Sequence, residues 1–409
     1  MIGKVGSKLK TAPVLAALIA AHTLVYIVVV LLAASNGPAF QVEIFRDYAD
    51  EIFAGNLPYA DFRYEYPPLS LFILILPRLL VSDPAAYAAL FGAEMLLFDI
   101  IILLSLSRIG LKPLLLYGVG LLLFWRLPYI RHDLVPVAAA TVGALLLLRG
   151  RALWAAVLWG VGGAIKLYPM VAVPALAAGA NLRQTAARWA VAGTVFAGGI
   201  LWGTAAFGTQ ALQFLTYHSD RPAMIESLPA NLLLLLPGAE VINTFGSFNV
   251  VGPLGDAFVG FFEVFQLVAT VLALVMVWWQ ERGAERTAEA RAVAVRGAAV
   301  ATFAFAIFGK VLSPHFLFWP LPLVAISTAL GGLRFPRTTW TLYFTIILIT
   351  TAINEQYWAI DGNLPYFTAM LTTRNLLLLP LFGLLLLRPP TQQSQKHHDH
   401  PGTDGQDVR

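Results

Sequence analysis

The chain has no cysteine among its 409 residues, so a disulfide framework, a thiolate nucleophile and a thiolate metal site are all closed to it. Charge is scarce as well. Only 12% of the residues are Asp, Glu, Lys or Arg, and a formal net charge of +4 reads as basic loops beside a membrane rather than a nucleic-acid surface. No Walker-type phosphate loop and no dinucleotide fingerprint is present, which removes the usual signatures of a cytoplasmic nucleotide substrate. No internal repeat at a fixed period is visible, which leaves an inverted-repeat transporter without support.

Apolar residues are abundant instead. At 58% hydrophobic and mean hydropathy +0.73, with many runs near the ~20 residues that cross a bilayer, the chain reads as an all-α polytopic membrane protein. Its 25 prolines and 33 glycines lie largely in or beside those runs and predict kinked or broken spans. Such breaks survive at membrane depth only where protein or a water-filled cavity satisfies the freed backbone groups.

The first apolar run, about 11–34, follows Lys4, Lys8 and Lys10 and is too long for the core of a cleaved signal peptide, so it reads as a retained span. Further spans are expected near 68–82, 85–107, 113–127, 134–149, 152–166, 169–181, 188–207, 258–279, 296–311, 315–331, 338–354 and 367–387. The arginines at 149, 151, 183, 188, 282–296, 334, 337 and 388 mark cytoplasmic loops under the positive-inside rule. The loops 35–67, 131–133, 208–257, 310–315 and 355–366 then share the opposite side. This parity requires one segment among 68–82, 85–107 and 113–127 to be short, broken or re-entrant, the first and last being the weakest. The expectation is about 12 transmembrane helices in one domain, 1–388, with both termini cytoplasmic and a disordered tail at 389–409. The histidines of that tail, His397, His398 and His400, offer metal ligands without the supporting partners that orient them, so a metal site is the lesser reading there.

Nearly all the polar chemistry sits in five stretches on the predicted outer side. The loop 35–67 is carboxylate-rich: Glu43, Asp47, Asp61 and Glu65 are candidate proton acceptors, interleaved with Tyr59, Tyr64 and Tyr66 and ending at Pro67 and Pro68, where the chain re-enters the membrane. The second stretch, YIRHDLVP, holds Arg131, His132 and Asp133; an ion pair between Arg131 and Asp133 competes there with a ligand-binding role. GGAIKLYP contributes Lys166 and Tyr168, the lysine either snorkelling to the interface or joining Arg131 in a cationic pocket. The large loop 208–257 adds His218, Arg221 and Glu226, then LPANLLLLLP, too short to span and readable as re-entrant. FGKVLSPHFLFWP carries Lys310 and His315 at a backbone turn. Outward acids, separated cations and broken apolar helices together suit sugar transfer from a lipid-linked phosphate. A carboxylate or histidine takes the acceptor proton, and Arg and Lys groups stabilise the departing phosphate.

The runs QVEIFRDYADEIFAGNLPYADFRYEYPPL, RHDLVPVAAATVGALLLLRGR, GGAIKLYPMVAVP, YHSDRPAMIESLPA and GKVLSPHFLFW resemble the actinobacterial polyprenol-phosphate-mannose-dependent α-mannosyltransferases, of the GT-C class. The resemblance covers about 41–320 in the family's order. It implies a GT-C fold, an active site facing away from the cytoplasm, inverting transfer, and an acidic base in the first outer loop. It also implies a polyprenyl-phosphate mannose donor; a site at the membrane surface favours a glycolipid or cell-envelope glycan acceptor, no nucleic-acid partner or cofactor is expected, and metal dependence is open. The chain departs from the family's early Asp-x-x-x-Tyr, since Gln41 and Phe45 stand at the matching positions. Asp47 and Glu43 are therefore the favoured bases, with Asp61 and Glu65 orienting or acceptor-binding. Arg131, Lys166, Arg221 and Lys310 are the phosphate ligands, and His315 is a second proton-transfer candidate. Tyr59, Tyr64, Tyr66, Asp133, Tyr168, His218 and Glu226 complete the substrate-binding set. The rivals are a secondary transporter, for which Glu94, Asp99 and Glu263 are the sparse intramembrane acids, and a degenerate family member, for which Gln41 argues.

Overall fold

The computed structural model describes residues 5–217, 221–281 and 287–387; His218 and the tail 389–409 lie outside the described residues. In chain order the helices are α1 (Val5–Asn36), α2 (Phe40–Phe53), α3 (Leu71–Leu80), α4 (Pro84–Ser107), α5 (Leu111–Leu123), α6 (Leu134–Leu148), α7 (Ala152–Ile165), α8 (Leu182–Phe207), α9 (Leu228–Leu233), α10 (Gly255–Gln280), α11 (Thr287–Phe308), α12 (Leu321–Ala329), α13 (Pro336–Glu355) and α14 (Leu364–Leu386). Their boundaries follow local chemistry. Asp83 accepts from the Ala86 N–H at 2.8 Å with Pro84 at the first helical position of α4, and Asn181 with Gln184 closes a capping box on α8.

Among the described residues six segments are long and apolar enough to cross a membrane: Thr11–Asn36, Pro84–Ser107, Leu182–Phe207, Ala257–Gln280, Ala288–Phe308 and Leu364–Leu386. The mostly helical, multi-pass character expected from composition is thus present. Several other expected spans are shorter. α3 has 10 residues, α5 has 13, α6 has 15 and α7 has 14, while 168–177 is wound as a 3-10 helix with Pro174 inside it. The two segments read as weakest, 68–82 and 113–127, are both among these.

Burial differs among the helices and does not follow length alone, since the long α11 is mostly buried. The long α1, α8 and α10 turn most of their apolar surface outward, with Leu24, Leu31, Leu201, Leu267 and Leu272 exposed. The short α6 is almost wholly buried. The principal packed pairs are α6 with α7, α7 with α8, α10 with α11 and α1 with α4. Small residues make the α6–α7 approach possible: a Cβ on Gly143 would lie 2.5 Å from the Trp159 indole nitrogen, which donates to the Ala140 carbonyl at 3.1 Å.

A buried polar knot ties α1 to α4 and α5. His22 Nδ1 lies 2.5 Å from Asp99 Oδ2, which also accepts from Tyr129, while Asp99 Oδ1 accepts from Tyr117. Asp99, read above as a sparse intramembrane acid, is thus fully partnered.

The loop 208–257 holds an element that hydropathy did not reveal, a three-stranded antiparallel sheet ordered β1 (Ala223–Met224), β3 (Ser247–Val251), β2 (Glu240–Thr244). β1 joins β3 through Ala223↔Val250, and β2 and β3 close as a hairpin ending at Thr244↔Ser247. The segment LPANLLLLLP folds as the short α9, whose Ala230 and Leu233 share a second apolar cluster with Phe248 and Val250 of the sheet and Ile353, Phe367 and Leu371. Sheet and α9 form a cap over one end of the helical body.

Candidate functional site

A cavity of about 580 Å³ opens between the helical body and the cap. Glu65, Tyr66, Arg131, Lys166, Tyr168, Arg221, Glu226, Lys310 and His315 line it, although they span 250 positions of sequence.

Helical periodicity sorts the acids of the first loop. In α2, Val42, Phe45 and Ala49 are buried, while Gln41, Ile44 and Tyr48 line the cavity. Glu43, Asp47 and Asp50 fall on a third row, away from both. The Asp47 side chain is 62% exposed and pairs with Arg46 at 3.2 Å, and Asp50 pairs with Arg78 of α3. The two favoured bases, Asp47 and Glu43, therefore do not line the cavity.

Asp61, Tyr59 and Tyr64 shape the loop instead of facing the cavity. Asp61 accepts the Leu57 N–H at 2.7 Å, Tyr59 donates to the Tyr66 carbonyl at 2.7 Å, and the Tyr64 hydroxyl meets Ser70 Oγ at 2.6 Å. Glu65 is the acid of this loop on the cavity wall. The hydroxyls of Tyr66 and Tyr217 lie within hydrogen-bonding reach of it. Gln41, at the position where the resemblance leads one to expect Asp, lines the same cavity with a neutral amide.

Asp133 anchors one end of the site. It pairs not with Arg131, two residues away, but with Lys166 at 2.6 Å, and it accepts from the Trp319 indole at 2.6 Å. His315 Nε2 stands 3.8 Å from its other oxygen. Tyr168 stacks on Trp319 with ring centroids 4.1 Å apart, and Phe316 covers the other side at 3.9 Å. Burial by itself would raise Asp133, but the His315, Lys166 and His132 groups around it hold it below the usual carboxylate range. His132, buried against Tyr66 and Phe45, is pushed down to about 3 by burial and by the Lys166 and Arg131 charges, so it is a neutral ring at physiological pH.

The cations divide by what already neutralises them. Lys166 has Asp133, and Lys310 pairs with Glu263 of α10 at 2.7 Å, an acid that the sequence reading set aside. Arg221 donates to Ser247 at 2.5 Å on the sheet. Arg131 sits between the ends, close enough to act electrostatically on Lys166, His315, Glu226 and Tyr357, and its Nε has no partner among the described residues.

Glu226 occupies the cap end. It is 1% exposed, and neither carboxyl oxygen has a hydrogen-bond partner among the described residues. Burial lifts it to about 7 against the pull of Arg374, Arg131 and Arg221. Sequence reasoning missed Trp319 and Phe245, and noticed Tyr217 and Arg63 in their polar runs without giving them a role in the site. Trp319 stood unassigned inside the HFLFWP run, whereas nothing local marked Phe245. Among the described residues no group of three or more His, Asp or Glu could hold a metal ion.

In comparison with known proteins, no curated protein matches the chain. A family model does: Glycosyltransferase family 87 matches residues 64–314, more than half of the length.

Proposed function

Because the chain belongs to glycosyltransferase family 87 and is a membrane protein of that family, we propose that it moves a sugar from a polyprenyl-phosphate donor to a glycolipid or cell-envelope glycan. The site then faces away from the cytoplasm, with both termini inside. The sugar is mannose on the resemblance of the five motifs described above. The observation that carries the reading is the cavity itself, where the Glu65 carboxylate shares a wall with Arg131, Lys166, Arg221 and Lys310.

In this mechanism Glu65 takes the proton of the acceptor hydroxyl as its oxygen attacks the anomeric carbon. The bond from that carbon to the phosphate oxygen breaks, its electron pair stays on the phosphate, and polyprenyl phosphate leaves from the opposite face, inverting the centre. Tyr66 and Tyr217 aim the Glu65 carboxylate. Arg131, whose Nε has no partner among the described residues, takes most of the charge growing on the phosphate; Lys166 keeps its place through Asp133 and adds a second donor. The base has in effect moved from the position of Gln41 to Glu65 across the same cavity.

Detergent-purified protein given radiolabelled polyprenyl phosphomannose and a glycolipid extract tests this. Glu65→Gln is expected to lower transfer about 100-fold or more while donor binding persists. Unchanged transfer in Glu65→Gln would remove it as the base. Failure of label to move from any polyprenyl phosphosugar would remove the donor assignment.

A further inference from the structure

Glu226 presents an anomaly in energy before it presents one in function. Its backbone is held rigidly: its carbonyl accepts from Arg374 Nη2 at 2.5 Å and from Asn375 at 3.1 Å, both on α14. On either side of it the Ile225 N–H bonds to Phe248 of the sheet at 3.0 Å, and Ser227 caps α9. Yet the carboxyl group so firmly placed has no partner at either oxygen among the described residues, while lining the cavity. Of the neighbouring guanidiniums, Arg221 is engaged with Ser247 and Asn249, while Arg374 gives its Nη2 to the Glu226 carbonyl and keeps Nε and Nη1 without a partner among the described residues. A buried carboxyl left so is costly, and a fold that retains one calls for a ligand to complete it.

A second observation concerns the lining of the same cavity. The β2–β3 hairpin turns through Phe245 and Gly246, with φ of 52° and 65°. Both positions of such a turn demand the left-handed region, which suits Asn or Gly and strains an aromatic residue. Phe245 nonetheless lines the cavity beside Tyr217, and the Arg63 guanidinium sits 4.6 Å from the Phe245 ring and 4.4 Å from the Tyr217 ring. Ring faces, a carboxyl and a guanidinium are the groups that hold a neutral polyol: C–H bonds on the ring, hydroxyls on the polar atoms. A carboxyl is the wrong group for a phosphate, so this end does not compete with the Arg131 and Lys166 end for the donor's anion.

We propose that the cap end of the cavity is the acceptor subsite, in which Glu226 holds two adjacent hydroxyls of a neutral sugar ring and Phe245, with Arg63 and Tyr217, closes over its face. The assignment rests on the transferase reading above and names where its acceptor binds. Saturation-transfer NMR on the full-length protein in detergent tests it, with methyl mannoside, short mannose, arabinose and glucose oligosaccharides and inositol as probes, and polyprenyl phosphate binding measured alongside. At least one glycan should bind the wild type together with polyprenyl phosphate. Glu226→Leu should weaken that glycan at least 10-fold and Phe245→Gly several-fold, with polyprenyl phosphate binding unchanged in both. Phe245→Gly relieves the turn, so it remains informative if Glu226→Leu does not fold. Equal glycan binding in wild type and variants, no glycan binding at all, or glycan displaced by polyprenyl phosphate would overturn the proposal. Glycan bound as expected with no polyprenyl phosphate bound to wild type would sustain the sugar site and sink the donor assignment instead.

Discussion

Asp133 and Glu226 are both completely buried carboxyl groups of one site, the first behind the cavity wall and the second on it, and they could hardly be treated more differently. Asp133 is surrounded by Lys166, Trp319 and His315 and is held ionised. Glu226 has rigid backbone support and an empty carboxyl, and burial brings it to about 7. A buried charge whose partners come from the chain itself is scaffold, fixing the cation beside it. One whose partners are missing is held ready for something the chain does not contain.

The largest effect should come from Asp133. Asp133→Ala removes the carboxylate paired with the buried Lys166 ammonium, and a loss of about 3–5 kcal/mol in folding stability is expected, read as a collapse in melting temperature or yield. Combining it with Lys166→Met should restore most of the stability without restoring transfer. If the single variant melts like wild type, Asp133 is not the scaffold described here.

Glu226 should show itself through pH. Its raised value means the folded state holds a proton that the unfolded chain has lost, so its contribution to stability is full below its ordinary 4.5 and drains away as pH rises toward about 7. Glu226→Gln should flatten the wild-type decline in melting temperature across that window. An identical slope in the two proteins would show that the carboxyl finds a partner in the folded state.

The smallest effect is expected at Asp47. Its side chain is 62% exposed and its pair with Arg46 lies in solvent, so Asp47→Ala should change stability by no more than about 0.5 kcal/mol and leave transfer within about twofold of wild type. A loss of transfer comparable to that of Glu65→Gln would return the base to α2.

Sequence reasoning found the acids of the first loop but favoured two that do not line this cavity, and the reason is a missed helix. Read as an irregular loop, 40–53 gives every carboxylate the same standing. Wound as α2, it gives Val42, Phe45 and Ala49 to the core, Gln41, Ile44 and Tyr48 to the cavity, and turns Asp47 away. The period of 3.6 was present in the letters, hidden by the density of charge between the apolar positions. The sheet was missed for another reason: β1 is two residues long and β2 and β3 five each, too brief for alternation to stand out.

The apolar runs by themselves determined that this is a multi-pass helical membrane protein and where most of its helices begin and end, because the length and composition of a span are local properties read by the bilayer. Which carboxylates are paired was decided only by tertiary structure. Lys166 reaches Asp133 across 33 positions, Trp319 reaches it across 186, and Arg374 grips the Glu226 backbone across 148. A side chain's hydrogen-bond partner, and so its charge and its freedom to meet a ligand, depends on which distant helix packs beside it.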